Sequence, residues 1–238
     1  MLTLTAMTHV GLVRARNEDA LVLPGLMSVG SFDRPLVRDV EPRSGTVLAV
    51  LDGMGGHRDG QFAARLAAQH LLDNPPTDAS EGAVRSLLAD ANARLFDAMR
   101  LDPSHTGMGA AVAGLAFTER RAWAFNVGDA RIYQLADGYP VRVSVDDRAG
   151  GSNALTQSLG GTDQPTTIDA HVAAVDLPPV GGSILLCSDG LSEFVGLGDI
   201  GDALTQGGAE AVDALLRGVW AAGAADNVSF CIVSDGGD

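Results

Sequence analysis

No lysine occurs in this chain of 238 residues: all 16 basic side chains are arginine. That removes a Schiff-base lysine, a P-loop lysine and the ATP-anchoring lysine of a kinase. Positive charge of any kind is scarce. The 16 arginines face 30 acids, a net charge of −14, which argues against a nucleic-acid or anionic-membrane surface and favours cations or a basic partner segment. Cysteine is nearly missing as well. Cys187 and Cys231 are the only two, each inside an apolar run, as expected of buried thiols in a reducing compartment. No histidine or cysteine cluster has the spacing of a zinc site. Although 46% of the residues are apolar, no uncharged apolar stretch approaches the ~20 residues that span a bilayer. Residues 1–13 lack the basic start, apolar block and cleavage site of a signal peptide. The expectation is a soluble, cytoplasmic protein. Without a Pro/Ser-rich linker, low-complexity tract or internal repeat, residues 1–238 are expected to form one domain.

What the chain does have is aspartate at the edges of apolar runs. Asp52 and Asp189 close the runs Val50-Leu51 and Leu186-Cys187-Ser188, and each is followed by glycine. Asp129 follows Ala122 to Val127, Asp226 opens Val228 to Val233, and Asp19 precedes Ala20 to Leu23. Strand ends on a rigid sheet can hold carboxylates close together, and carboxylates crowded without a counterion repel one another. Their oxygens are hard ligands that suit Mg²⁺, Mn²⁺ or Ca²⁺, with Mg²⁺ or Mn²⁺ preferred. The glycines after Asp52 and Asp189 are expected to turn the chain sharply and bring a carbonyl near the ion. A carboxylate shared by two ions would acidify a bridging water and shield an approaching phosphate ester. Arg14, just ahead of Asn17-Glu18-Asp19, supplies a candidate bidentate clamp for that anion.

Strands and helices are segregated rather than alternating. Strands are expected over 2–12, 46–51, 109–117, 122–127, 131–135, 167–175, 183–187 and 228–233. Several are joined by turns too short for a crossover helix, which implies antiparallel pairing. Helices are expected over 61–72, 81–99 and 210–221; in the second, Val84, Leu87, Leu88, Ala91, Leu95 and Met99 form one apolar stripe. The pattern indicates an α+β sandwich.

Seven short motifs then occur in a characteristic order: Gly11-Leu-Val-Arg14-x-x-Asn17-Glu18-Asp19, Asp52-Gly-Met-Gly-Gly-His57, Gly107-Met-Gly-Ala-Ala111, Val127-Gly-Asp129-Ala-Arg131, Leu155-Thr-Gln-Ser-Leu-Gly160, Cys187-Ser-Asp189-Gly-Leu191 and Asp226-Asn227. Each alone is weak. In this order, and over nearly the whole chain, they resemble the bacterial branch of the metal-dependent, type 2C (PPM) protein phosphatases. That resemblance implies an α-β-β-α arrangement, two antiparallel sheets packed together and flanked by pairs of antiparallel helices. It implies two Mn²⁺ or Mg²⁺ ions, with a third in some members. By resemblance Asp52 bridges two ions, the Gly53 carbonyl ligates one, and Asp189 and Asp226 hold the other. Glu18 and Asp19 act through water, Arg14 grips the substrate phosphate, and Asp129 with Asp189 matches the third-ion site. A bridging hydroxide would attack phosphorus in line. The implied function is hydrolysis of phosphoserine and phosphothreonine in proteins, opposing a bacterial Ser/Thr kinase, by a monomer with no nucleic-acid or membrane partner. Two other readings stay open: a non-catalytic metal-binding module that recognises phosphoproteins, and a phosphatase of small phosphate esters.

Three departures from the family pattern accompany the resemblance. Met54 stands where animal members carry a histidine, so leaving-group protonation is unassigned, with metal-bound water favoured over His57. Ala110-Ala111 replaces two threonines. The segment between Arg131 and Leu155 is much shorter than the family's flap and leaves Asp146, Asp147 and Arg148 as its remnant; the short flap and the Gly160-Gly161 stretch resemble phosphatases that accompany secretion-system kinases. Elsewhere, Asp59 is expected to cap the helix from Gln61, and Asp137-Gly138 and Asp235-Gly236 to be plain turns. Trp123 and Trp220 are read as core, Arg131 as a brace of its own turn. His9, His70, His105 and His171 have no partner motif.

Overall fold

The segment Gly109–Phe117 carries no charged residue and is buried at every position, so both faces of that strand must be covered, and the architecture follows from how. In the computed structural model, which describes residues 1–54, 59–150, 152 and 154–236, the chain begins with strands β1 (Leu2–His9), β2 (Ala20–Leu23), β3 (Leu26–Val29), β4 (Leu36–Val40) and β5 (Val47–Met54). Helices α1 (Asp59–Asp73) and α2 (Glu81–Leu101) follow, then β6 (Gly109–Phe117), β7 (Arg121–Val127), β8 (Arg131–Ala136), β9 (Tyr139–Arg142), β10 (Leu159–Gly160), β11 (His171–Asp176) and β12 (Ser183–Cys187). Helices α3 (Asp189–Ser192), α4 (Leu197–Gln206) and α5 (Gly208–Ala221) precede the last strand, β13 (Val228–Asp235).

Two antiparallel sheets result. One runs β4-β1-β13-β12-β8-β9, the other β11-β7-β6-β5-β2-β3 with β10 added beside β6. Period-two alternation sends Leu4, Leu186 and Val233 from the first sheet, and Leu48, Val50 and Leu115 from the second, into one shared apolar layer. On the outer face of the second sheet, Ala64, Ala67 and Leu71 of α1 and Leu88 and Leu95 of α2 cover Val22, Leu51 and Val112. On the outer face of the first, Ile200 and Leu204 of α4 and Leu215 and Val219 of α5 cover Leu185, Phe230 and Ile232. The expected α-β-β-α sandwich is the observed one.

Helix α2 shows how local sequence sets its limits. The Ser80 hydroxyl accepts from the Ala83 amide at 3.3 Å, a side-chain N-cap, and Pro103 holds Asp102 extended, so the helix stops at Leu101. Its stripe from Val84 to Met99 is buried as expected. Strands β6 and β12 have the expected limits. Others differ: β1 ends at His9 rather than Leu12, and β11 starts at His171 rather than Thr167. Asp137 and Gly138 do form a turn, with φ of 52° and 79° in the β8–β9 hairpin. Asp235 does not: it pairs with Leu2 at the end of β13. Both thiols are buried and free.

Candidate metal centre

The strand-end acids come together. Arg14, Glu18, Asp52, Gly53, Asp129, Asp189 and Asp226 line one cavity of about 250 Å³, with Met54, Ala111, Leu155 and Asn227 completing the wall. Asp52 sits near the end of β5 opposite Ala111 of β6, Asp129 in the turn from β7 to β8, Asp189 at the start of α3, and Asp226 just before β13. The two sheets thus contribute from opposite sides. Asp19, at the entry to β2, lies behind this wall at 1% exposure.

The glycines after Asp52 and Asp189 serve a different end from the expected sharp turn. Gly53 lies within β5 and Gly190 within α3, and neither has positive φ. A Cβ on Gly53 would stand 2.6 Å from the Glu18 carbonyl and collide with the Gly60 carbonyl; one on Gly190 would collide with the carbonyl of Asn227. Only hydrogen fits where three backbone segments converge on the acids.

Two asparagines hold the loop that carries Arg14 and Glu18. The Asn227 amide donates to the carbonyls of Val10 at 2.9 Å and Arg16 at 2.8 Å, while its oxygen accepts from the Glu18 amide at 2.8 Å. Asn17 donates to the Thr8 hydroxyl at 2.7 Å and accepts from the Asp19 amide at 3.2 Å. Ser188 donates to Asp19 Oδ2 at 3.0 Å. Both asparagines are named in the motifs; Asn17 bonds to nearby Thr8 and Asp19, whereas Asn227 joins opposite ends of the chain, so its clamping role has no local signal.

Burial and mutual repulsion make the acids reluctant to ionise. Burial, with the charges of Asp189 and Asp226, pushes Asp19 up to about 7 despite hydrogen bonds from Ser229 and Ser188. Burial and then the Asp19 and Asp189 charges push Asp52 well above the carboxylate range. Burial and then the Asp129 charge push Asp189 up to about 6. Two guanidiniums offset part of this charge. Arg14 donates to Asp226 Oδ2 at 2.7 Å. Arg148, which the sequence left as a flap remnant, reaches Asp129 at 2.7 Å and Asp189 at 3.2 Å. Among the described residues no three acids converge on a single point closely enough to hold one ion. The donor set nevertheless fits hard divalent cations. It is all oxygen, it is crowded enough to raise three carboxylates, and Asp19 Oδ1 is buried without any hydrogen-bond partner.

Around this centre several expectations change. Asp59 is part of the first turn of α1, and its carboxylate meets His105 Nδ1 at 3.0 Å, with Phe62 stacked on that imidazole. His171 is likewise partnered, by Asp147 at 2.8 Å. His9 meets the edge of Trp220, which with Trp123 is only partly buried at the core margin. Arg131 binds Asp146 through Nε and Nη2, tying β8 to the short flap rather than bracing its own turn. His57 lies outside the described residues.

A family model described as protein phosphatase 2C matches residues 38–230. The chain is 27% identical to the serine/threonine protein phosphatase PstP of Mycobacterium tuberculosis, across 98% of this chain and 45% of that protein, so it spans less than half the length of that relative. It is also 27% identical to the protein phosphatase PhpP of Streptococcus pneumoniae, over 97% of this chain and 96% of the relative. Among solved structures, PppA, described as a key regulatory component of T6SS in Pseudomonas aeruginosa, superposes with a TM-score of 0.78 at 28% identity, covering 98% of this chain and 97% of that one. The catalytic domain of PstP in complex with two manganese ions superposes with a TM-score of 0.74 at 27% identity, covering 98% and 99%. Among the described residues no helix is long and apolar enough to cross a membrane.

Proposed function

The chain belongs to the protein phosphatase 2C family, and from that premise we propose that it is a Mn²⁺- or Mg²⁺-dependent phosphatase of phosphoserine and phosphothreonine in proteins. The observation that carries this reading is the convergence of Arg14, Glu18, Asp52, Gly53, Asp189 and Asp226 on one polar cavity, in a fold shared with a manganese-bound phosphatase. Asp52, the Gly53 carbonyl, Asp189 and Asp226 would hold the ions, with Glu18 and Asp19 supporting them from the next layer. Asp129 belongs to the outer edge of this set. Bound ions there acidify water and offset the charge of a phosphate ester.

The protein's own residues supply the rest. Arg14 is 53% exposed while its guanidinium already points at Asp226, so it can exchange one oxyanion for another and clamp a phosphate without rebuilding the loop. Asn227 fixes that loop, and Gly53 and Gly190 let the three segments close. Met54 and Leu155 give the cavity an apolar lip.

Incubation with a phosphothreonine peptide and with p-nitrophenyl phosphate, with Mn²⁺ and with chelator, tests the proposal. Metal-dependent release from the peptide, lost in Asp52→Asn, is expected. Metal binding with no release from either substrate would instead support a recognition module, and release from the small ester alone a small-ester phosphatase, a reading the short flap keeps open. The setting we propose is a cytoplasmic monomer opposing a Ser/Thr kinase, and the 28% identity to PppA extends that proposal to a secretion-associated kinase. Comparing phosphoproteomes with and without the protein tests this setting: phosphosites that rise in its absence support it, and an unchanged set refutes it.

A further inference from the structure

Arg148 is the least expected group at the centre. Its side chain is only 18% exposed and its guanidinium faces three carboxylates: Nε and Nη2 on Asp129 at 2.7 and 2.6 Å, Nη2 on Asp189 at 3.2 Å, and Nη1 on Glu193. The planar fork thus spans the same Asp129–Asp189 pair to which the resemblance assigns a third ion, and Glu193 occupies its remaining edge.

The backbone holds Arg148 beside the turn that carries Asp129. The neighbouring Asp147 donates its amide to the Gly128 carbonyl at 2.9 Å, and its Oδ2 accepts from the Gly128 amide at 2.8 Å. Asp147 Oδ1 meets His171 Nε2 at 2.8 Å. Beyond Arg148, Ala149 donates to the Ala154 carbonyl at 2.9 Å, Thr156 to the Asp147 carbonyl at 2.8 Å, and Arg148 itself bridges to Leu155. The base of the short flap is therefore locked to the turn that carries Asp129.

We propose that the Arg148 guanidinium is a built-in cation that takes the place of a third divalent ion between Asp129 and Asp189. The proposal rests on the metal-centre reading above. A dication placed between the two acids would find oxygens already accepting from Arg148 and a positive charge at contact distance. Moving Arg148 aside would strand Glu193 as well as the two aspartates. The chain accordingly binds two ions through Asp52, Asp189, Asp226 and the Gly53 carbonyl, and leaves Asp129 to the arginine.

The test counts ions directly, by following free Mn²⁺ with electron paramagnetic resonance during titration into the full chain. Wild type is expected to saturate at two Mn²⁺ per chain, Arg148→Met at three, and the double variant Arg148→Met/Asp129→Asn at two again. Arg148→Lys, which keeps the charge, and Asp129→Asn alone should both stay at two, and Arg148→Gln, which also removes the charge and should reach three, decides the matter if Arg148→Met does not fold by circular dichroism. Three ions in wild type, three in Arg148→Lys, or no gain in folded Arg148→Met would overturn the proposal while leaving the metal centre intact. No Mn²⁺ bound to wild type would overturn both.

Discussion

Replacing Asp19 by asparagine should stabilise the metal-free protein, by an amount set by pH. Asp19 has an ordinary value of 3.8 and is pushed up to about 7 by burial and by the charges of Asp189 and Asp226. Below pH ~4 both folded and unfolded chains hold the proton and the group is neutral in the balance. As pH rises from about 4 to 7 the unfolded chain has released the proton while the folded chain still holds it, so the folded state loses stability progressively, reaching about 4 kcal/mol by pH 8 at 1.36 kcal/mol per unit. At pH 5 the corresponding loss is only about 2 kcal/mol by the same arithmetic. Asparagine abolishes this loss but leaves an amide N–H₂ where Asp19 Oδ1 has no partner, which costs about 1–3 kcal/mol. In chelator the variant should therefore gain about 1–3 kcal/mol at pH 8, and that advantage should shrink by roughly 2–3 kcal/mol at pH 5. For a chain of this size each kcal/mol moves Tm by roughly 2–4 °C. Urea or thermal unfolding in EDTA at the two pH values measures it, and a parallel series in Mn²⁺ should show wild type gaining more from metal than the variant. A variant less stable than wild type at pH 8 in chelator, or an advantage unchanged between pH 8 and 5, would refute the reasoning.

Arg14→Ala removes a charge-assisted phosphate clamp and should lower kcat/KM by roughly 10- to 100-fold, chiefly through KM; a collapse of metal affinity with KM unchanged would make Arg14 structural instead. Asn227→Ala severs the three bonds to Val10, Arg16 and Glu18 and should cost about 2–4 kcal/mol in urea unfolding, with less than about 1 kcal/mol contradicting its clamping role. Burial pushes both thiols up to about 12, so iodoacetamide at pH 8 should label Cys187 and Cys231 only after unfolding, read by mass spectrometry.

The parts legible in the sequence are those whose signal is local. Strands β6 and β12 announce themselves because burial on both faces demands an unbroken apolar run, and both limits are the observed ones. Strand β4 is silent because on this edge strand only its two ends, Leu36 and Val40, pack on the core, while Val37, Arg38 and Asp39 between them are exposed. Helix α4 is hidden by Gly198 and Gly201 within it, although Ile200, Ala203 and Leu204 are buried on one side. Strand β1 stops at His9 because Gly11 must turn against the Asp226 carbonyl, a demand from the far end of the chain. At the centre, the aspartates are readable from their place at the ends of runs. Arg148 is not, since its role exists only once the flap hairpin is folded back onto the Gly128 turn.

The passage of the chain from β7 in one sheet to β8 in the other has a consequence for tolerance to change. Asp52 rides on one sheet and Asp189 and Asp226 on the other, so the spacing of the acids inherits the thickness of the apolar layer between them. Leu48, Leu115 and Leu186 act as the shims of the instrument. Trimming one of them, far from any ligand oxygen, would let the two plates settle and detune the centre while the identity of every residue that lines it stayed the same.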